Sequence, residues 1–121
     1  MTRPAILAAD VGTSSLKAAL VRDDSAVLAT ARQSYGTATP QSGFAEQDPM
    51  DWLLALERAV TELGTVADLH VVAGIVVTGQ MSGGLLVDDN LAPLTPCLIW
   101  SDQRAVVESD AAQDAFGADA L

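Results

Sequence analysis

Ala5-Ile6-Leu7-Ala8-Ala9-Asp10-Val11-Gly12-Thr13-Ser14-Ser15-Leu16-Lys17-Ala18-Ala19-Leu20-Val21 is the stretch whose reading decides the fold. The apolar run Ala5 to Ala9 has no polar face, as expected of a central strand. It ends on a carboxylate, turns through Gly-Thr-Ser-Ser and enters a second, alternating run, Leu16 to Val21. A strand, a tight turn and a strand follow from that pattern. Gly12 is able to take the positive φ that a tight hairpin often requires, and successive amides around such a turn can face one anion. Thr13, Ser14 and Ser15 add hydroxyl donors without bulk. Asp10 repels a bare phosphate but becomes useful when Mg²⁺ sits between the two, usually with waters retained. Lys17 lies where it neutralises phosphate charge. The alternative for the same residues is an ordinary β-hairpin with small polar turn residues.

Working outward, 121 residues amount to about one domain with a useful core. The chain is 50% apolar but only 4% aromatic, so Ala, Val and Leu must do most of the packing. Sixteen acidic against six basic residues give a formal charge of −10, which argues against binding to nucleic acid or anionic membrane through a basic surface. A locally neutralised turn can still take an anionic ligand. The single cysteine, Cys97, rules out an intramolecular disulfide, fits a reducing compartment and sits in an apolar stretch as a buried structural thiol. The single histidine, His70, reads as a solvated loop residue, since one His and one Cys do not make a conventional zinc site. The longest apolar run falls far short of a membrane span, and the expected location is cytoplasmic.

Downstream, Val27 to Ser34 reads as a third strand, joined to the second by the turn Arg22-Asp23-Asp24-Ser25. Tyr35 to Gln47 reads as a loop leaving the sheet. A helix then begins with Asp48 as N-cap, Pro49 in the first turn and Asp51 beside the positive end. Trp52, Leu53, Leu56, Ala59, Val60 and Leu63 form its apolar face, and Gly64 is its expected stop. Val71 to Val77 reads as a second buried strand. Its exit, Thr78-Gly79-Gln80-Met81-Ser82-Gly83-Gly84, is either a second ligand-binding loop at the carboxyl end of a strand or a flexible connection. Leu85 to Val87 and Cys97 to Trp100 suggest short strands around the turn Asp88-Asp89-Asn90, with Pro93 and Pro96 restricting them to an edge. Ser101 or Asp102 is the expected cap of a helix running through Ala105 to Phe116, and Arg104 is a surface cation or the partner of a carboxylate. Ala111 to Leu121 shows no closing element.

Four separated pieces coincide with one family pattern: DVGTSSLK at 10–17, EQDPMDW at 46–52, GQMSG at 79–83 and IWSDQR at 99–104. In order and spacing the chain resembles the N-terminal part of the FGGY carbohydrate kinases, most closely the xylulokinase-like branch. The resemblance implies an α/β fold, a partial ribonuclease-H-like (actin-like ATPase) domain with a mixed sheet, antiparallel N-terminal strands and covering helices. It implies ATP and Mg²⁺ as cofactors, with Asp10 helping to hold the metal through water. Gly12, Thr13 and Ser14 then line the phosphate path, and Lys17 stands near the transferring phosphate. Gln80, Met81 and Ser82 border the sugar pocket, with Asp102 and Arg104 near its hydroxyls. The Glu46 to Trp52 match is assigned to loop and helix capping.

Two departures qualify that picture. Family members of this branch commonly carry histidine after the methionine of GQM, where this chain has Ser82, so the pocket differs in shape and lacks a group that titrates near neutral pH. The inferred substrate class is accordingly a pentulose such as xylulose or a related polyol. Nothing in the 121 residues matches the later aspartate base or the second lobe. Residues 1–121 are therefore expected to be the N-terminal part of the first kinase domain, catalytically silent in isolation, with the base beyond residue 121. The implied partners are the sugar and, in the full-length parent, a second copy, with no nucleic acid or membrane. The competing classes are an actin-like nucleotide-binding assembly protein or chaperone, and a noncatalytic interaction module.

Overall fold

The computed structural model describes residues 3–117. They fall into two compact units, one formed by residues up to 36 together with 48–81, the other by 37–47 together with 82 onward.

The first unit is a four-stranded sheet with one helix. Strands β1 (Ala5–Val11), β2 (Ser15–Arg22) and β3 (Val27–Ser34) form an antiparallel meander, and β5 (Val72–Gly79) lies parallel to β1, giving the order β3-β2-β1-β5. The three N-terminal strands agree with the expected ones to within a residue or two at their ends. Helix α1 (Pro49–Gly64) packs on β2 and β3. Asp48 caps it as expected, its Oδ1 accepting from the Met50 amide at 2.9 Å. The core lies between, where Leu7, Leu16, Ala18 and Ala31 of the sheet meet Ala55, Ala59 and Leu63 of the helix. Burying Leu16, Leu20 and Leu63 completely is worth about 1.5–3 kcal/mol each.

Three expectations for this unit are corrected. Leu53 is 58% exposed and Ala55 takes its place on the packed face, because small alanines let α1 approach the sheet closely. Gly64 is the last helical residue and does not adopt positive φ. The helix stops instead at Thr65, whose backbone amide and Oγ1 both donate to the Glu62 carbonyl. The strand read as buried begins at Val72 and is the edge of the sheet. Ile75, Val76 and Val77 are each about 60% exposed, since α1 packs chiefly on β2 and β3. His70 is exposed, in the short 3₁₀ turn Leu69–Val71 that precedes β5.

In the second unit, the loop expected from Tyr35 to Gln47 contributes a strand of its own. β4 (Glu46–Gln47) pairs antiparallel with β6 (Cys97–Leu98), and isolated bridges join Ala38 to Glu46 and Gly84 to Leu98. Leu85 to Val87 therefore does not form the expected strand; only a bridge from Val87 to Pro93 spans the Asp88-Asp89-Asn90 turn. Asp88 Oδ1 holds that turn, accepting from the amides of Asn90 and Ala92 at 2.8 Å. Ala45, Cys97 and Ile99 are buried here, and burial pushes the Cys97 thiol pKa up, as befits a structural cysteine. Helix α2 (Val106–Phe116) starts one residue later than expected, has no side-chain cap, and ends at Gly117. Residues 118–121, part of the tail read as lacking a closing element, lie outside the described residues.

Candidate functional site

The two faces of the first unit's sheet differ. Leu7, Ala9 and Val11 of β1 alternate with Ile6, Ala8 and Asp10, and α1 covers the first set's side of the sheet. The other face is open. Across it, register places Thr78, Asp10, Lys17 and Arg32 in one row over β5, β1, β2 and β3. The adjacent row is Val76, Ala8, Ala19 and Thr30. Small side chains in the second row leave a hollow beside the charged one, a groove of about 720 Å³ lined by both rows, with Glu62 at its border.

The sequence-predicted phosphate residues sit at the end of this groove or in it. Asp10 and Lys17 are direct cross-strand partners. Asp10 is half-buried and Lys17 exposed. Gly12, Thr13 and Ser14 form the hairpin that follows β1. Gly12 does not adopt the positive φ expected of it. Its amide donates to the Ser15 carbonyl at 3.1 Å, closing the turn, so it is not one of a ring of amides aimed at an anion. Glycine suits the tight space there, because a Cβ would come within 3.1 Å of that same carbonyl oxygen. Tyr35 braces the turn from β3's end, its hydroxyl donating to the Gly12 carbonyl and its amide to the Ser14 carbonyl. Burial, and then the negative charge of Asp10, raise the Tyr35 pKa and keep the phenol protonated.

Gln80 and Met81 follow β5 in the first unit. The Gln80 amide donates to the Val11 carbonyl at 2.9 Å, and the residue lines a pocket of about 310 Å³ with Val11, Trp52 and Thr78. Met81 is 81% exposed. Ser82, in the second unit, stands in the left-handed region at φ 59°, a conformation rare for a non-glycine residue.

Asp102 and Arg104 are together in the second unit, where they bond to each other. Asp102 does not cap α2. Its carboxylate takes the Ala45 amide at 2.7 Å and Nε and Nη2 of Arg104 at 2.8 Å each. Arg104 Nη2 also reaches Glu46 at 2.7 Å, and its guanidinium lies 3.9 Å from the centre of the Phe44 ring. Hydrogen bonding to Arg104, before all else, holds the Asp102 carboxyl well below the usual carboxylate range and raises the Arg104 pKa in turn. Of the two readings of Arg104, partner of a carboxylate is the one realised. These bonds tie residues 44–46 to 102–104 structurally, and the Glu46 match is likewise explained by loop architecture.

Arg32 was not among the sequence-predicted site residues. Its place beside Lys17 depends on a register shift in β2–β3 between Leu20 and Val21. Only the excess of polar residues late in β3 hinted that this face is not core.

Comparison with known proteins places this geometry. The profile of the FGGY family of carbohydrate kinases, N-terminal domain, matches residues 5–121. A xylulose kinase of Klebsiella pneumoniae is 35% identical over 109 residues, 90% of this chain and 23% of that protein. An apulose kinase of Pectobacterium atrosepticum is 36% identical over 110 residues, 87% of this chain and 21% of that protein. The crystal structure of the xylulose kinase from Rhodospirillum rubrum superposes with a TM-score of 0.87 at 32% identity, covering 96% of this chain and 24% of that one. The chain thus spans about a quarter of the length of the relatives it matches. Its mixed sheet and covering helix are those of the actin-like sugar kinases. With four motifs, an open sheet face and a matching profile over residues 5–121, the chain belongs to the FGGY family of carbohydrate kinases, within the N-terminal domain.

Proposed function

We propose that residues 1–121 are the N-terminal part of the first domain of an ATP-dependent sugar kinase acting on a hydroxyl of a pentulose, with xylulose as the leading substrate. The observation that carries this reading is the row of Asp10 and Lys17 on an uncovered sheet face beside a groove of about 720 Å³. The relatives named as xylulose kinases supply the substrate class, and the one named as an apulose kinase extends it to a second sugar.

Asp10 suits Mg²⁺. It is a half-accessible carboxylate lining a hollow, and Mg²⁺ is usually bound by one or two carboxylates plus substrate phosphates and retained waters. When bound, the metal neutralises phosphate charge. The chain's own residues do the rest. Lys17 offers its ammonium to the phosphate chain, while the Gly12-Thr13-Ser14 hairpin, braced by Tyr35, fixes where that chain approaches β1. Gln80, Met81 and Ser82 are assigned to the sugar pocket. The Asp102 and Arg104 side chains hold the loop that precedes α2 in shape, so their effect on the sugar runs through that loop. The aspartate that accepts the hydroxyl proton is assigned to sequence beyond residue 121.

The half-covered sheet supports the partial-domain reading. β5 offers an open edge and apolar side chains on both faces, a surface suited to further strands and helices. Cys97 as a lone buried thiol fits a cytoplasmic enzyme. Among the described residues no helix is long and apolar enough to cross a membrane.

Titration with ATP, with and without Mg²⁺, tests the site. Asp10→Asn is expected to weaken Mg²⁺-dependent ATP binding about tenfold or more while leaving metal-free binding nearly unchanged. Equal affinities in both states would remove Asp10 from the metal site.

A further inference from the structure

Lys17 and Arg32 face each other directly across the β2–β3 ladder, on the open side of the sheet. Like charges in that arrangement repel and destabilise the pair. The chain has only six Lys and Arg against sixteen acids, so carboxylate partners are plentiful. Arg3, Arg22 and Arg104 each reach one within 3.2 Å. Among the described residues no ion pair joins Lys17 or Arg32 to a carboxylate, although Asp10 stands opposite Lys17 and Glu62 borders the same groove. Arg32 is nonetheless held in place. Its Nε donates to Ser15 Oγ at 3.1 Å, and Ser15 is 3% exposed, a buried anchor. That bond fixes the guanidinium and leaves its terminal nitrogens as donors for a ligand.

We propose that Arg32 is a second arm of a phosphate clamp with Lys17, gripping a polyphosphate chain laid along the groove floor of Ala8, Ala19 and Thr30. The proposal rests on the reading of this groove as a phosphate site and adds to it a residue from β3 that the hairpin alone does not supply. A planar guanidinium binds phosphate oxygens in pairs, which an ammonium cannot do, so Arg32 sets the orientation while Lys17 contributes charge. Asp10, on the other side of Lys17 in the row, opposes a bare anion and favours one that arrives with a divalent cation.

Calorimetric titration of the 121-residue protein with tripolyphosphate, inorganic phosphate and adenosine tests this, alongside thermal melts. Tripolyphosphate is expected to bind and raise the melting temperature, inorganic phosphate to bind more weakly, and adenosine to show no dependence on Arg32. Arg32→Gln should weaken tripolyphosphate binding about tenfold or more. Without ligand it should melt no lower than the parent, because a repulsion is relieved. Arg32→Lys, which keeps the charge and loses the paired contact, should be intermediate and serves if Arg32→Gln fails to fold. Unchanged tripolyphosphate affinity in both variants, with Lys17→Gln weakened, overturns the clamp and leaves the groove reading intact. A ligand-free melting temperature lowered by several degrees, with affinity unchanged, makes Arg32 a structural residue and also overturns it. Failure of the parent to bind tripolyphosphate or Mg²⁺-ATP removes the groove reading and the clamp together.

Discussion

Arg104 grips Asp102 through two parallel hydrogen bonds, Nε to Oδ1 and Nη2 to Oδ2, each 2.8 Å long. With the Ala45 and Arg104 amides also donating, the Asp102 carboxylate accepts four hydrogen bonds and is only 6% exposed. The pair is the tie between residues 44–46 and 102–104. Its acidic member has a pKa below its unfolded value of about 3.9, so it contributes stability that is fully present above pH 4. That contribution is lost as pH falls below 4 toward the folded value. Asp102→Asn should therefore lower the neutral-pH melting temperature by about 5 °C, abolish hydrogen-exchange protection of the Ala45 amide, and flatten the acid limb of the stability profile. Amide exchange and melts between pH 2 and 7 measure all three.

Gly79 closes β5 against Val11. A Cβ there would stand 3.0 Å from the Val11 carbonyl oxygen and 3.3 Å from the Val11 Cβ, and the paired strands have little freedom to part. Gly79→Ala should cost about 1–3 kcal/mol by urea unfolding. Gly36→Ala, where a Cβ would meet nothing within 4 Å, is the control and should stay within about 0.5 kcal/mol.

The β5 edge carries no charge and no proline between Val72 and Gly79, so nothing on it opposes pairing with another strand. The isolated 121-residue chain is expected to associate with a second copy in a concentration-dependent way, despite its net charge of −10. Val76→Lys, which puts a cation on this edge strand, should shift sedimentation toward monomer. Identical sedimentation of the two proteins at all concentrations would show that this edge does not drive association.

Much of this was readable from residues. The meander follows from the alternation Leu16 to Val21 and the polar turn after it, and α1 follows from Asp48, Pro49 and the spacing of Leu56, Ala59 and Leu63. Where reading failed, long-range contacts decided. The Val72–Gly79 run has the composition of a strand enclosed on both faces, but α1 packs chiefly on β2 and β3 and leaves Ile75, Val76 and Val77 about 60% exposed. Asp102 has the local look of a cap, yet the Ala45 amide and Arg104 compete for the same oxygens and win. Arg32 shows the sharpest limit. Pairing Val21 with Val27 and counting back without a bulge puts Ala31 opposite Lys17 and turns Arg32 toward the helix. The one-residue shift between Leu20 and Val21 moves Arg32 to the open face, and no pattern in residues 20–27 announces it.

Under the proposed function, Asp10 and Lys17 handle the phosphates of ATP for transfer to a small ketose. The deciding assay is ATP consumption by the full-length protein, with D-xylulose and with a panel of other pentuloses, hexuloses and polyols. The prediction is Mg²⁺-dependent consumption stimulated by D-xylulose or a close pentulose, reduced at least about a hundredfold by Asp10→Asn, with residues 1–121 alone inactive. Absence of sugar-stimulated ATP consumption across the whole panel would contradict it.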